Sequence, residues 1–287
     1  MNDEVKQLAL HIRNQSAHLT KSQKEVAEYI LTHPQEMTYL TAAQIGKEVG
    51  VSETTVIRTA MNLGYRKFSD LQEAYQAAFG KKRTLSRLEE STTGLDSIPA
   101  ALHKSFQQDL ENIRSTLESI DHEQFQQFIQ RITEARNIFV IGSRSTSADA
   151  FFLGFNLNNL LGNVHTVTSL GPDMEDCFRY ADEQSLAIGF GYPRYAKKTV
   201  DALRYLKHKK ATIAVITDSI RSPLLELGDF SFLTEIKSYT SVDSHAASFA
   251  LINAIISAVS YHAKERVVQM LNLLEDYYAD FQVFSGK

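Results

Sequence analysis

The chain has a single cysteine, Cys177, among its 287 residues. One thiol cannot make a disulfide within a chain, and the natural compartment is a reducing one, the cytoplasm. A lone cysteine is expected as a packed small side chain rather than a nucleophile. Long hydrophobic runs are also missing. No stretch approaches the roughly 20 apolar residues that span a bilayer, and the opening MNDEVKQLAL is too acidic and polar for a secretory signal. No membrane partner is expected. There is no internal repeat and no low-complexity tract. The histidines His122, His165, His208 and His262 are too scattered to suggest a metal site, and no acid–base pair is arranged for proton transfer. No catalysis and no cofactor are therefore expected.

Positive charge is in short supply as well. The net charge is −4, which argues weakly against a nucleic-acid partner. Its distribution softens that. Residues 1–83 carry 11 Lys+Arg against 9 Asp+Glu, a net of +2, and the remainder carries a net of −6. Any DNA-facing surface therefore belongs at the N-terminal end.

What is present is an ordinary globular composition, 43% hydrophobic and 22% charged. A length of 287 residues suits two domains. The first third reads as helical throughout. An apolar pattern runs from Val5 to Leu19. Thr20 with Gln23 has capping-box spacing and opens a helix to about Leu31, which His33-Pro34 ends. Thr41 with Gln44 opens a helix to Val49. Ser52 caps a helix over Glu53–Leu63, which Gly64 ends. A further helix runs from Ser69-Asp70 to Phe79. Residues 80–99 are polar and aperiodic, as in an interdomain linker. The helical pattern resumes with Leu102, Phe106, Leu110, Ile113 and Leu117.

From Asn137 the texture changes. Short apolar runs at 138–141, 185–189 and 212–216, with weaker ones at 164–167 and 230–233, are mostly separated by helical stretches. That alternation indicates a parallel sheet with helices on both faces. Residues from about Val242 to Gln282 read as helical again.

Within residues 41–63, TAAQIGKEVGVSETTVIRTAMNL, two short helical patterns meet at a Gly-Val-Ser turn. Gly46 stands four places before the turn glycine, Gly50, which is helix-turn-helix spacing. In such a motif the second helix enters the major groove. Val56, Ile57, Ala60 and Leu63 make its inward stripe, faced by Ile45, Val49 and Val51. Thr54, Thr55, Arg58 and Asn62 point outward and can donate to base edges and phosphates. With Ser52 and Lys67 they form the candidate DNA-binding set. A helix-turn-helix used for protein contact has the same spacing, and Arg58 fits either a phosphate contact or a solvated charge.

These residues, in their context, resemble a known family. LTKSQKEVAEYIL followed by VSETTVIRTAMNLGYRKFSDLQ is similar to the N-terminal domain of the RpiR family of bacterial transcription regulators. The matching positions are Val51, Ser52, Thr55, Val56, Arg58, Leu63, Gly64, Tyr65, Phe68 and Ser69. The resemblance implies a winged-helix-like or homeodomain-like module that binds operator DNA as a dimer. The family's second domain is the SIS (sugar isomerase) fold, a five-stranded parallel sheet sandwiched by helices. NIFVIGSRSTSADAFFLGFNL and ATIAVITDSIRSPLLELGDFSF resemble it. The expected architecture is thus an all-α helix-turn-helix domain at 1–79, a linker at 80–99, and an α/β SIS domain at 100–287 for effector binding and oligomerisation, as a homodimer or homotetramer.

A SIS fold holds anions where loops after parallel strands meet helix N-termini. Two loops of this chain depart from the family pattern. The first, usually Gly-x-Gly-x-Ser, reads Gly142-Ser143-Arg144-Ser145-Thr146, with Arg144 in the place of the second glycine. The second, usually a hydroxyl-rich phosphate cradle close to Ser-x-Ser-Gly-x-Thr, reads Gly191-Tyr192-Pro193-Arg194-Tyr195. Two readings follow. Arg144 and Arg194 converge on an anion, a sugar acid or a phosphorylated metabolite, or they pair with Asp149, Glu175 or Asp176 and block the cradle. His245 is either a ligand contact across a dimer interface, as in related SIS domains, or a capping or core histidine.

The expected function is a DNA-binding regulator controlled by a small anionic sugar-derived metabolite, a sugar phosphate or sugar acid. The competing readings are a sugar-phosphate isomerase-like enzyme with an accessory helical domain, and a protein-binding module with a dead ligand site.

Overall fold

The computed structural model describes residues 3–34, 36–80, 88, 91–92, 94–168 and 174–282. Half of the expected linker, 80–99, lies outside them. The chain forms two compact units, Met1–Lys104 with Ser238–Val242, and Ser105–Lys237 with Asp243–Lys287.

The first unit contains α1 (Asp3–Gln15), α2 (Lys21–Thr32), α3 (Ala42–Val49), α4 (Glu53–Asn62) and α5 (Phe68–Gly80). Helix α1 ends earlier than its apolar pattern, and a short 3₁₀ turn, Ser16–His18, follows. Ser16 Oγ donates to the Ile12 carbonyl at 2.6 Å, the kind of local bond by which a serine competes with regular helix. The Thr20 amide donates to Gln23 Oε1 at 3.2 Å, at the start of α2. The box at α3 is reciprocal. The Thr41 amide donates to Gln44 Oε1 at 2.7 Å, and the Gln44 amide donates to Thr41 Oγ1 at 3.2 Å. Gly50 closes α3 at φ +75°, a left-handed position that favours glycine. Ile12, Val26, Ile30, Met37, Ile45, Val56, Leu63, Leu71 and Tyr75 fuse into one buried core.

The second unit begins within α6 (Ile98–Ser119) and continues with α7 (His122–Glu134). Five strands follow, β1 (Ile138–Ile141), β2 (Val164–Val167), β3 (Leu186–Gly191), β4 (Thr212–Thr217) and β5 (Phe230–Leu233). All are parallel, in the order β2-β1-β3-β4-β5. Helix α8 (Ser147–Leu161) links β1 to β2, and α9 (Lys197–His208) links β3 to β4. After β5 come α10 (Ala246–His262) and α11 (Lys264–Phe281).

The central strands β1, β3 and β4 are buried on both faces, so period two divides their apolar residues between two cores. Ile138 and Val140 of β1 join Phe128 of α7, Leu153 and Leu157 of α8, and Ile252 and Ile255 of α10. Phe139 and Ile141 join Val200, Leu203 and Leu206 of α9. The continuous helical reading of 242–282 needs a correction. It begins at Ala246, and its two helices meet at a bend of 103°. No single helix among the described residues is long and apolar enough to cross a membrane. The bent pair passes by length and composition, and α10 buries Leu251, Ile252, Ile255 and Val259 in the core. Cys177, expected to be packed, is exposed.

Candidate functional site

Two surfaces carry the candidate residues, one in each unit. In the first unit, Ser52 Oγ accepts from the Thr55 amide at 3.2 Å, capping α4. Thr54 and Arg58 are exposed, four residues apart on one helical face. The Arg58 side chain makes no ion pair or hydrogen bond with a described residue. Thr55 is half-buried, and its hydroxyl lies 2.9 Å from Ser52 Oγ, so it supports the cap. Asn62 is exposed, but its Nδ2 donates to Gln23 Oε1 of α2 at 3.1 Å, which sets its orientation. Lys67 stands 3.7 Å from Asp70 and keeps most of its side chain in solvent. Val56, Ala60 and Leu63 are buried and Ile57 is half-buried. Thr59, which the apolar pattern does not mark, is fully buried and donates to the Thr55 carbonyl at 2.8 Å.

In the second unit, strand order reverses direction between β1 and β3, because β1 leads outward to β2 while β3 leads the other way. In open α/β sheets the crevice at the carboxyl ends of such strands is where ligands bind. The loops after β1 and β3 are the two arginine-bearing loops. Ser143 Oγ of the first loop lies 2.9 Å from Thr199 Oγ1, in the first turn of α9 that follows the second loop. Thr146 Oγ1 accepts from the Ser143 amide at 3.1 Å. Thr146 is buried and Ser145 is exposed.

Both arginines hold a left-handed backbone, Arg144 at φ +59° and Arg194 at φ +70°. Non-glycine residues are uncommon there. Both are exposed, and neither guanidinium makes a hydrogen bond or ion pair with a described residue. Of the carboxylates offered as local partners, Asp149 is bonded to His245 and Asp176 lies 3.8 Å from Arg179. The Glu175 side chain is outside the described residues.

Tyr192 and Tyr195 turn away from the loop surface. The Tyr192 hydroxyl is 3.0 Å from Thr234 Oγ1, and burial pushes the phenol pKa up. The Tyr195 hydroxyl donates to Asp218 Oδ1 at 2.9 Å, while burial raises the Asp218 carboxyl above its usual range. The Gly191 carbonyl accepts from Thr217 Oγ1 at 2.6 Å. Gly191, Tyr192 and Tyr195 therefore shape the loop that carries Arg194.

His245 precedes α10 as its N-cap residue, but its ring caps nothing. Its Nδ1 lies 2.7 Å from Oδ2 of Asp149, which is fully buried in the first turn of α8. The His245 side chain is 19% exposed, and the Tyr192 ring meets it edge-on at 5.3 Å. The bond from Asp149 raises the His245 pKa, and burial opposes it. The other oxygen of that carboxylate, Asp149 Oδ1, is buried and makes no hydrogen bond to a described residue. Sequence reasoning named Asp149 only as a partner for the arginines. No spacing signal connects it to a histidine 96 residues away.

A separate cavity of about 550 Å³ opens at the amino ends of β1 and β3, lined by Arg136, His165, Arg179, Tyr180 and Asp182. Arg136 and Asp182 form an ion pair across it. No group of three or more metal-ligating side chains occurs among the described residues.

A helix-turn-helix unit, together with a unit whose parallel sheet carries two arginine-bearing loops at its carboxyl ends, has the make-up of a transcriptional regulator with a ligand-type domain. Comparison with known proteins agrees. Residues 6–82 match the model of the rpiR-family helix-turn-helix domain, and residues 131–258 match the SIS domain. The chain belongs to the RpiR family of bacterial transcription regulators. It is 28% identical over 223 residues to a protein of Haemophilus influenzae named as an HTH-type transcriptional regulator, covering 74% of each chain. A protein of the same description from Caldanaerobacter subterraneus is 22% identical over 268 residues, covering 92% of this chain and 93% of its own. Among solved structures, Vibrio vulnificus NanR complexed with ManNAc-6P aligns with a TM-score of 0.72 at 16% identity, over 97% of this chain and 100% of that one. The sugar isomerase domain of an RpiR transcription factor from Sphaerobacter thermophilus aligns with a TM-score of 0.58 at 25% identity, over 60% of this chain and 97% of that one.

Proposed function

We propose that this regulator is cytoplasmic, binds operator DNA through α4, and is controlled by a small anionic sugar-derived metabolite held in the crevice between β1 and β3. Residues 1–79 serve as the DNA-binding domain, 80–99 as the linker, and 100–287 as the effector-binding and oligomerisation domain of a homodimer or homotetramer. Ser52, Thr54, Thr55, Arg58, Asn62 and Lys67 form the DNA-facing set, with Thr54 and Arg58 at its centre. Effector and operator bias one two-state equilibrium, so their affinities are reciprocally linked.

The single observation that carries the effector reading is a pair of arginines, Arg144 and Arg194, whose guanidinium groups have no partner among the described residues, on the two loops that flank the reversal of strand order. A guanidinium binds carboxylate or phosphate in bidentate fashion. The small hydroxyls of the family's phosphate cradle are replaced here, so the arginines supply the charge. The NanR complex with a sugar phosphate supports the ligand class for this fold. Thermal-shift screening against sugar phosphates and sugar acids tests it, since a ligand of the folded state raises stability by mass action. Arg194→Ala is expected to abolish the effector-induced change in DNA affinity, with effector-free affinity as the internal reference. An undiminished response in that variant would sink the reading.

One observation favours an isomerase-like enzyme: a carboxylate orients the His245 ring, as for a general base. The lost hydroxyls at 191–195 and relatives named as regulators favour a non-enzyme. Aldose–ketose turnover by the purified chain would revive the enzyme.

A further inference from the structure

The crevice between β1 and β3 gathers more cationic capacity than one phosphate requires. Arg144 and Arg194 stand on its two loops, their guanidinium groups without a partner among the described residues. His245 reaches the same strand ends from α10. Its ring lies against Tyr192, two residues before Arg194, and bonds Asp149, five residues after Arg144. Only Nδ1 is engaged. No described residue bonds Nε2, and a fifth of the side chain remains open to solvent. Asp149 is fully buried, so its carboxylate has lost its hydration and depends on the imidazole for compensation. A protonated His245 provides that compensation and presents a second N–H outward. Asp149 Oδ1, buried as well, makes no hydrogen bond to a described residue.

We propose that the effector carries two acidic groups, one held by the arginine loops and the other by the Nε2–H of protonated His245. The chemical class is a phosphorylated sugar acid rather than a phosphorylated neutral sugar. This rests on the effector reading above and adds a second subsite to it. The groups that face His245 are Asp149 from α8, Tyr192 from the loop after β3, and Asp243 from the segment before α10. The two aspartates favour the imidazolium and the tyrosine stays neutral. Binding of the second acid therefore weakens as pH rises and the ring loses its proton.

The test uses three probes on the full chain: 6-phosphogluconate with two acidic groups, glucose 6-phosphate with one phosphate, and gluconate with one carboxylate. Apparent affinities come from calorimetry between pH 5.5 and 8.5. The expected result is that 6-phosphogluconate binds about tenfold more tightly than glucose 6-phosphate at pH 6, with the ratio falling towards unity at high pH. His245→Gln is expected to collapse the ratio at every pH. Asp149→Asn retains an acceptor for Nδ1 and is expected to move the loss of the ratio to lower pH, so it covers the case in which the histidine variant does not fold. A ratio near one in the unaltered chain, or one that ignores pH or survives both substitutions, overturns the proposal. Binding of glucose 6-phosphate with no advantage for 6-phosphogluconate overturns this inference alone. Binding of none of the three overturns it together with the effector reading.

Discussion

Gly46 and Val51 meet backbone to backbone where α3 turns into α4. The Val51 amide donates to the Gly46 carbonyl at 2.8 Å, and a Cβ on Gly46 would stand 2.7 Å from the Val51 carbonyl oxygen. A backbone oxygen held in a turn cannot swing aside as a side chain does. Gly46→Ala gains helix propensity but forces the turn open, with an expected net loss of about 1–3 kcal/mol. Urea denaturation of the full chain, followed by helical circular dichroism, measures it. An unchanged midpoint would show that the turn yields freely.

Arg58 is exposed on α4 with no described partner. As a phosphate contact, its removal in Arg58→Ala lowers operator affinity and reduces the slope of log affinity against log salt by about one. Titrations at several salt concentrations read both. An unaltered slope with altered sequence preference would assign Arg58 to a base edge instead.

The left-handed backbone of Arg144 and Arg194 costs each loop energy that glycine would not. The greater freedom of glycine in the unfolded chain offsets part of the gain. Arg144→Gly and Arg194→Gly are each expected to stabilise the chain by on the order of 0.5 kcal/mol while removing the effector-induced thermal shift. A destabilised variant would mean that the side chain holds its loop together.

His245 gives stability a pH dependence of known sign. Its folded pKa lies above the ordinary 6.5, chiefly through the bond to Asp149. The stabilisation is fully present below the unfolded value and is lost as pH rises through the folded one. His245→Gln should flatten that part of the stability curve. Chemical denaturation at closely spaced pH values gives the comparison, and identical slopes above pH 6.5 would contradict it.

Asp218 acts in the opposite chemical sense but with the same direction in pH. Burial raises its folded pKa above 3.8, so the native state holds the proton more tightly than the unfolded chain. Stability contributed by the protonated form is present below 3.8 and falls as pH rises through the folded pKa. Asp218→Asn keeps an acceptor for the Tyr195 hydroxyl and is expected to remove this acid-side slope, with stability at pH 7 unchanged or slightly higher. A loss at pH 7 would show that the charge itself is used.

The amino-acid sequence alone determined the elements and their order. Thr41, Gln44 and Ser52 cap as their spacing requires, because a cap involves atoms only three residues apart. The five apolar runs became five parallel strands; the three strongest runs are the central β1, β3 and β4, because strands buried on both faces must be apolar on both. The end of α1 and the break at Ala263 were less legible, since a serine back-bond and a change of packing direction leave the apolar period intact. The residues at 142–146 and 191–195 identified the loops, but not which side chains they present. Tertiary structure decided that Tyr192 and Tyr195 bond inward to Thr234 and Asp218, leaving Arg144 and Arg194 outward. It alone joined His245 to Asp149 across 96 residues. No local pattern encodes that pair: the closure of the sheet, with its two layers of helices, brings the N-termini of α8 and α10 to the same strand ends.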